Sequence, residues 1–96
     1  MSPKNKKKLE IIRSKLDKLD DKLLSLIKYR TNLVKKVLNL KEYKKEIVDK
    51  NRINIILKKI RSKSKKLKID PKITNRIWKN MILSYIDFAK RNFKKK

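Results

Sequence analysis

The sequence of 96 residues contains no cysteine, no histidine and no glycine. Without Cys or His, the chain has no thiol nucleophile, disulfide, imidazole base or Cys/His zinc site. Without glycine, it cannot form the Gly-rich loops that bind dinucleotides or ATP phosphates. Any chemistry therefore depends on charge, hydrogen bonds and shape, and we expect neither a metal nor an organic cofactor.

Basic residues dominate what is present, with 32 Lys and Arg against 9 Asp and Glu and a net charge of +23. Such a charge suits three kinds of partner: nucleic acid, an anionic membrane surface or a small anionic substrate. Lys, Asn and Ile together supply 47 residues, and because their codons are rich in A and T, genome composition also explains much of the bias. The 6 arginines are then more informative than the 26 lysines.

No run approaches the roughly 20 consecutive apolar residues that span a bilayer. The basic N-terminus is not followed by the apolar core of a secretory signal. We therefore expect a cytoplasmic protein without membrane contact. Its length predicts one domain over residues 1–96, with frayed basic ends at 1–8 and 92–96.

A very long N-terminal helix is predicted from Ser2-Pro3, an N-cap followed by a first-turn proline, to about Lys41. At about 1.5 Å per residue it measures about 57 Å, longer than any globule that this chain forms alone. Its apolar stripe therefore needs something equally long beside it, most simply a second copy of the chain. The stripe has helical spacing and comprises Ile12, Leu16, Leu19, Leu23, Leu26, Ile27, Leu33, Val34 and Val37.

Two shorter helices follow, the second of the three running from about Asp49 to Lys65 and the third opening at Asp70-Pro71. The basic stretch Ser62–Lys68 is predicted to be a frayed end and a loop. The second helix presents Ile53, Ile56, Leu57 and Ile60, and the third is expected to bury Ile73, Ile77, Trp78, Met81, Ile82, Tyr85 and Phe88. The fold class is all-α, a three-helix chain in an intertwined homodimeric bundle.

Arg30 and Lys41 occupy positions of the first stripe where the pattern expects a hydrophobic residue. Eleven residues apart, they lie about 20° from eclipsed and about 16 Å apart along the axis. The plain explanation is that both side chains bury their aliphatic stems and keep their charged groups in water. Asp49 and Arg52, however, also share a face turned partly inward. A cluster of buried cations is costly unless an anion enters it, and a small dicarboxylate fits this requirement.

Arg13 lies seventeen residues before Arg30, about 260° around the helix, so the two cannot serve one pocket from one face. In an antiparallel dimer, Arg13 reaches the partner's pocket.

The run LEIIRSKLDKLDDKLLSLIKYRTNLVKKVLNLK closely resembles the first helix of the small, all-helical chorismate mutases that form intertwined dimers. The specific features are Arg13, the following pattern xxLDxxDxxLLxLIxxR, and Lys41. The resemblance continues more loosely through IVDKNRINIIL and the third helix, from about Leu9 to Arg91. It implies the rearrangement of chorismate to prephenate, in the shikimate pathway toward aromatic amino acids, by a homodimer without a cofactor.

Residue roles follow from the resemblance by position. Arg30 and the partner subunit's Arg13 would bind substrate carboxylates, and Lys41 would donate to the ether oxygen and a carboxylate. Asp49 would lie near the substrate hydroxyl and Arg52 would close the pocket. Tyr85 aligns with the family's carboxylate-binding Ser.

Two positions depart from the family pattern. Ile53 stands where a Glu usually binds the ring hydroxyl, and Ala89 stands where a Gln or Glu assists the lysine. Losing one such donor costs about 10²–10³ in rate. An isochorismate-pyruvate lyase-like enzyme and a catalytically impaired relative therefore remain alternatives.

A basic helical module that binds nucleic acid is the remaining alternative. Lys63, Lys65, Lys66 and Lys68 favour it. We do not expect this partner, because Trp78, Tyr85 and Phe88 fall on the core stripe of the third helix instead of forming a stacking platform.

Overall fold

The computed structural model describes residues 1–94, which form three α-helices and no strand. Helix α1 spans Pro3–Leu40, α2 spans Lys50–Lys66 and α3 spans Pro71–Asn92, with a short 3₁₀ turn at Lys44–Glu46 between α1 and α2. The all-α prediction and the very long first helix are confirmed. Within the described part of the chain, no helix has a stretch apolar enough to cross a membrane.

The chain divides into two compact units, residues 1–33 and residues 34 onward. The first unit consists of most of α1, and no residue of this helix is buried. Its apolar stripe is open to solvent, and the Leu23 side chain, for example, is 53% exposed. Most of residues 1–8 are helical, whereas residues 95–96 of the predicted frayed end lie outside the described residues. The single domain and the fraying stay predictions.

Side-chain caps set the start of each helix, as the sequence indicates. Ser2 Oγ accepts from the backbone N–H of Asn5 at 3.2 Å. Asp49 Oδ1 accepts from the N–H of Arg52 at 3.0 Å, and Asp70 Oδ1 accepts from the N–H of Lys72 at 2.9 Å. Each cap pairs a backbone donor that lacks a partner within its helix, which is why the predicted starts are correct.

Helix α2 ends at Lys66, one residue beyond its predicted end, and the predicted frayed end and loop over Ser62–Lys68 are wrong for residues 62–66, which are helical. A tight turn then closes the helix: the N–H of Ile69 donates to the Ser64 carbonyl, and the N–H of Lys68 donates to the Lys65 carbonyl. Lys68 adopts a φ of 58°. Glycine is the usual residue in this left-handed position of a Schellman turn, so the sequence carries no glycine signal for this turn.

Helices α2 and α3 pack against each other in the second unit. At their contact Ser64 and Thr74 are buried, with Ser64 only 3% exposed. The α2 face predicted from the sequence is half-buried as expected and comprises Ile53, Ile56, Leu57 and Ile60.

The predicted burial of Ile73 and Ile77 on α3 is wrong for the isolated chain. Their side chains are 56% and 49% exposed. Thr74 faces α2 instead, because its hydroxyl pairs with that of Ser64. The rest of the predicted α3 core is half-buried and comprises Trp78, Met81, Ile82, Tyr85 and Phe88.

Candidate functional site

A small cavity, which we call the inner cavity, lies in the second unit between the last two turns of α1 and the second half of α3. Its volume is about 110 Å³. Lys41, Tyr85 and Ala89, three positions singled out from the sequence, all line it. The other walls are apolar and comprise Val34, Val37, Leu38, Ile47 and Ile86. Lys41 is therefore the one charged side chain among the lining residues of the inner cavity.

A second hollow, the loop cavity, lies beside Lys41 where the chain leaves α1 and enters α2. It measures about 510 Å³ and is lined by Lys41, Glu46, Val48, Asp49, Lys50 and Asn51. Lys41 lines both hollows and is itself half-buried. The structure thus places Asp49 and Tyr85 on two sides of the same lysine.

Asp49 has a structural task in addition to its place in the loop cavity. Its Oδ1 atom caps α2 by accepting from the backbone N–H of Arg52. This bond leaves the other carboxylate oxygen, Oδ2, for a further partner. A ligand hydroxyl in the loop cavity would suit that oxygen as a donor.

Glu46 is a lining residue that the sequence analysis missed. Its side chain is half-buried, and Oε1 accepts from the backbone N–H of Tyr43 at 3.0 Å. A carboxylate three residues after the first residue of a turn is the pattern that could have revealed this contact. Glu46 and Asp49 give the loop cavity two carboxylates beside the amines of Lys41 and Lys50.

The three predicted arginines are placed differently from Lys41. Arg52 lies in the first turn of α2 and is exposed, and it is not among the described residues that line either hollow. Arg13 and Arg30 belong to the first unit, where Arg13 is exposed and Arg30 half-buried. The roles assigned to these arginines stay predictions.

Ala89 is the one alanine in the chain, and it is buried at 7% exposure. It lies one helical turn after Tyr85, and both line the inner cavity. The small side chain leaves Lys41 without an amide or carboxyl neighbour at this position of α3. Among the α3 side chains that line the inner cavity, the phenol of Tyr85 is the group that can donate a hydrogen bond.

These surroundings favour a defined kind of chemistry. An ammonium group among apolar walls interacts more strongly with developing negative charge than the same group in water. Lys41 lines the inner cavity, whose other walls are mainly apolar, and the loop cavity presents carboxylates that accept from hydroxyl groups. A compact, hydroxylated anion is the ligand that meets both demands.

Comparison with known proteins identifies the family. The family model described as chorismate mutase type II matches residues 12–90. No curated protein and no solved structure matches the chain significantly. The matched range contains all six predicted site residues, namely Arg13, Arg30, Lys41, Asp49, Arg52 and Tyr85. The chain therefore belongs to the chorismate mutase type II family and is by family an isomerase that acts on chorismate.

Proposed function

We propose that the chain converts chorismate to prephenate in a site centred on Lys41, and that two copies build each site. The reaction is intramolecular: one C–O bond breaks while one C–C bond forms, and no group is transferred to the protein. The observation that carries this proposal is the place of Lys41, which lines both the inner cavity and the loop cavity.

Catalysis by this site has two parts. Holding the substrate in its compact conformer removes most of the entropic cost of bringing the reacting carbons together. Lys41 then donates to the ether oxygen, where negative charge grows as the C–O bond breaks. Tyr85 lies on the opposite wall of the inner cavity, where its hydroxyl would hold a carboxylate or assist Lys41.

The two substrate carboxylates need positively charged partners, and these come from residues that line neither the inner cavity nor the loop cavity. Arg30 and the partner subunit's Arg13 are assigned this task because a guanidinium grips a carboxylate through two parallel hydrogen bonds. Asp49 would accept from the substrate hydroxyl through Oδ2, and Arg52 would close the pocket from the first turn of α2.

A homodimer is part of the proposal because α1 presents an apolar stripe that its own chain leaves exposed. Leu16, Leu19 and Leu23 are each more than half exposed. A contiguous stripe of this length marks an interface, and a second copy offers a stripe of the same length. The cytoplasmic location stays a prediction.

The activity test is a chorismate assay on purified protein with two matched variants. We expect prephenate as the product, and we expect Lys41→Met to lower kcat by at least about 10²-fold. Lys36→Met is the control, because Lys36 is exposed in α1 five residues before Lys41 and lines neither cavity. Pyruvate release from isochorismate without any prephenate from chorismate would contradict the proposal.

Mixing two inactive variants tests the shared site. Arg13→Ala and Lys41→Met each disable every site of a homodimer, whereas a mixed dimer retains one site with both native residues. Refolding the two together is expected to restore about one quarter of the wild-type sites, as random pairing dictates. No recovery from dimers shown to be mixed would mean that Arg13 does not act across the interface.

A further inference from the structure

A third hollow, the outer cavity, lies on the other side of the end of α1 and has no place in the proposed reaction. It measures about 300 Å³, within the range of small-molecule sites. Its lining residues are Lys35, Leu38, Asn39, Phe88, Asn92, Phe93 and Lys94. All of them belong to the second unit.

The outer cavity and the Lys41 site occupy different faces of α1. At 100° per residue, Lys35 and Asn39 lie about 120–160° around the helix from Lys41. Val34 and Val37, which continue the apolar stripe of α1, line the inner cavity instead. A second copy that covers the stripe would therefore leave the outer cavity open to solvent.

The chemistry of the lining selects a class of ligand. Leu38, Phe88 and Phe93 are half-buried and form an apolar floor. Lys35 and Lys94 supply two positive charges, and the lining contains no carboxylate. A small carboxylate with an aromatic or branched apolar body meets both requirements, since its body covers the rings while its charge lies between the lysines.

The partial negative charges at the nearby helix ends do not reverse this preference for an anionic ligand. The C-terminal ends of α1 and α3 each carry only about half a negative charge. Near the end of α3, the Phe88 carbonyl receives a hydrogen bond from Asn92 Nδ2 at 2.8 Å. Lys90 in the last turn of α3 adds a further positive charge, whereas Arg91 is paired with Asp87 at 2.8 Å.

Leu38 lines both the outer and the inner cavity. It lies about 60° around α1 from Lys41, between the faces of the two hollows. A ligand that packs on Leu38 from the outer side would fix the last turn of α1, and with it Lys41. We infer that the outer cavity binds a small apolar carboxylate and that its occupancy favours substrate binding at Lys41 through Leu38.

Titration with 3-phenylpropanoate, followed by amide chemical shifts, tests the binding. The expected Kd is about 1 mM, the affinity of a fragment of this size at ordinary efficiency, with shifts at Leu38, Phe88 and Phe93. The neutral amide and the 3-phenylpropylammonium ion are expected to bind at least about tenfold more weakly. Equal binding of all three compounds would overturn the assignment of a carboxylate site.

Charge reversal at the site tests its location. Lys35→Glu/Lys94→Glu is expected to weaken binding at least about tenfold, whereas Lys36→Glu/Lys79→Glu alters two exposed lysines outside the cavity and leaves Kd unchanged. In the Lys41→Met variant, binding of 3-phenylpropanoate is expected to persist. Loss of binding in that variant would place the compound in the Lys41 site and overturn the inference.

The mutase assay measures the coupling between the outer cavity and substrate binding at Lys41. We expect 5 mM 3-phenylpropanoate to lower the apparent KM for chorismate about twofold in the native protein and to leave it unchanged in Lys35→Glu/Lys94→Glu. Competitive inhibition in both proteins, or binding without a change in KM, would overturn the coupling through Leu38. Prephenate formation without the compound reports on the proposed function separately.

Discussion

The side-chain oxygens of Ser64 and Thr74 lie 2.7 Å apart and join the last turn of α2 to the first turn of α3. Ser64 Oγ also donates to the Ile60 carbonyl at 2.6 Å. Because that bond uses the one proton of the Ser64 hydroxyl, Thr74 is the donor between the two. Because both hydroxyls are buried, they hydrogen-bond to protein groups in place of water.

Ser64→Ala is expected to lower the free energy of unfolding by about 1–2 kcal/mol, since a buried hydroxyl of Thr74 then lacks its acceptor. The Pro71 carbonyl, 3.4 Å from Thr74 Oγ1, is a poor replacement. Urea unfolding at one fixed protein concentration measures the change.

Ser84→Ala is the matched control, because Ser84 makes the same bond to a carbonyl four residues earlier but is exposed. It is expected to change stability by less than about 0.5 kcal/mol. Adding Thr74→Val to Ser64→Ala should cost less than the two single changes combined. Strict additivity would show that the two hydroxyls do not interact.

Lys68→Gly is expected to stabilise the protein by about 0.5–1 kcal/mol. Lys68 has a φ of 58°, a conformation that costs a residue with a Cβ atom more than it costs glycine. Thermal unfolding tests the change, with Lys66→Gly as control. Lys66 ends α2 in a helical conformation, so glycine there should destabilise by about 1 kcal/mol.

Arg30→Ala is expected to abolish turnover while the protein stays folded. Arg30 interrupts the apolar stripe and is half-buried, which is where a cation that binds substrate is predicted. Prephenate formation and the far-ultraviolet circular dichroism spectrum are the two measurements. Arg61→Ala, at an exposed position of α2, should leave both unchanged, and a collapsed spectrum for Arg30→Ala would instead assign that residue a structural role.

Ala89→Gln is expected to raise kcat by about 10-fold or more, since a donor beside Lys41 contributes up to about 10²–10³ in such sites. Ala89 and Lys41 line the same cavity, so a longer side chain from α3 points toward the lysine. Ala89→Met supplies similar bulk without a donor and should give no gain. Equal rates for Gln and Met would show that Tyr85 or another group already fills the role.

The starts of the helices were predictable because each depends on a local cap. The side chains of Ser2, Asp49 and Asp70 accept from N–H groups no more than three residues away. The local sequence therefore suffices to predict where each helix starts. The end of α2 was predicted within one residue, but the tight turn that follows it was not predictable, because Lys68 takes a conformation that lysine rarely adopts. Burial at Thr74 also escaped prediction, since it depends on a hydroxyl ten residues away.

The site was predictable in part. Lys41 was identified because it breaks an apolar stripe, and Tyr85 and Ala89 because the resemblance aligned them, and all three meet at one cavity. Glu46 was missed because it lies in a turn without periodicity. The outer cavity escaped prediction because it exists only where the ends of α1 and α3 meet.

The short turn between α2 and α3 also bears on the order of folding. Leu67, Lys68, Ile69 and the cap residue Asp70 connect the two helices. The chain therefore closes only a very small loop to bring Ser64 against Thr74. Contacts so close in sequence form quickly, in the range of microseconds to milliseconds. In the proposed homodimer, association of α1 with a second copy would be a bimolecular step whose rate falls with dilution. A newly made chain would thus form its α2–α3 hairpin first, and the proposed dimer would form later and more slowly at low expression.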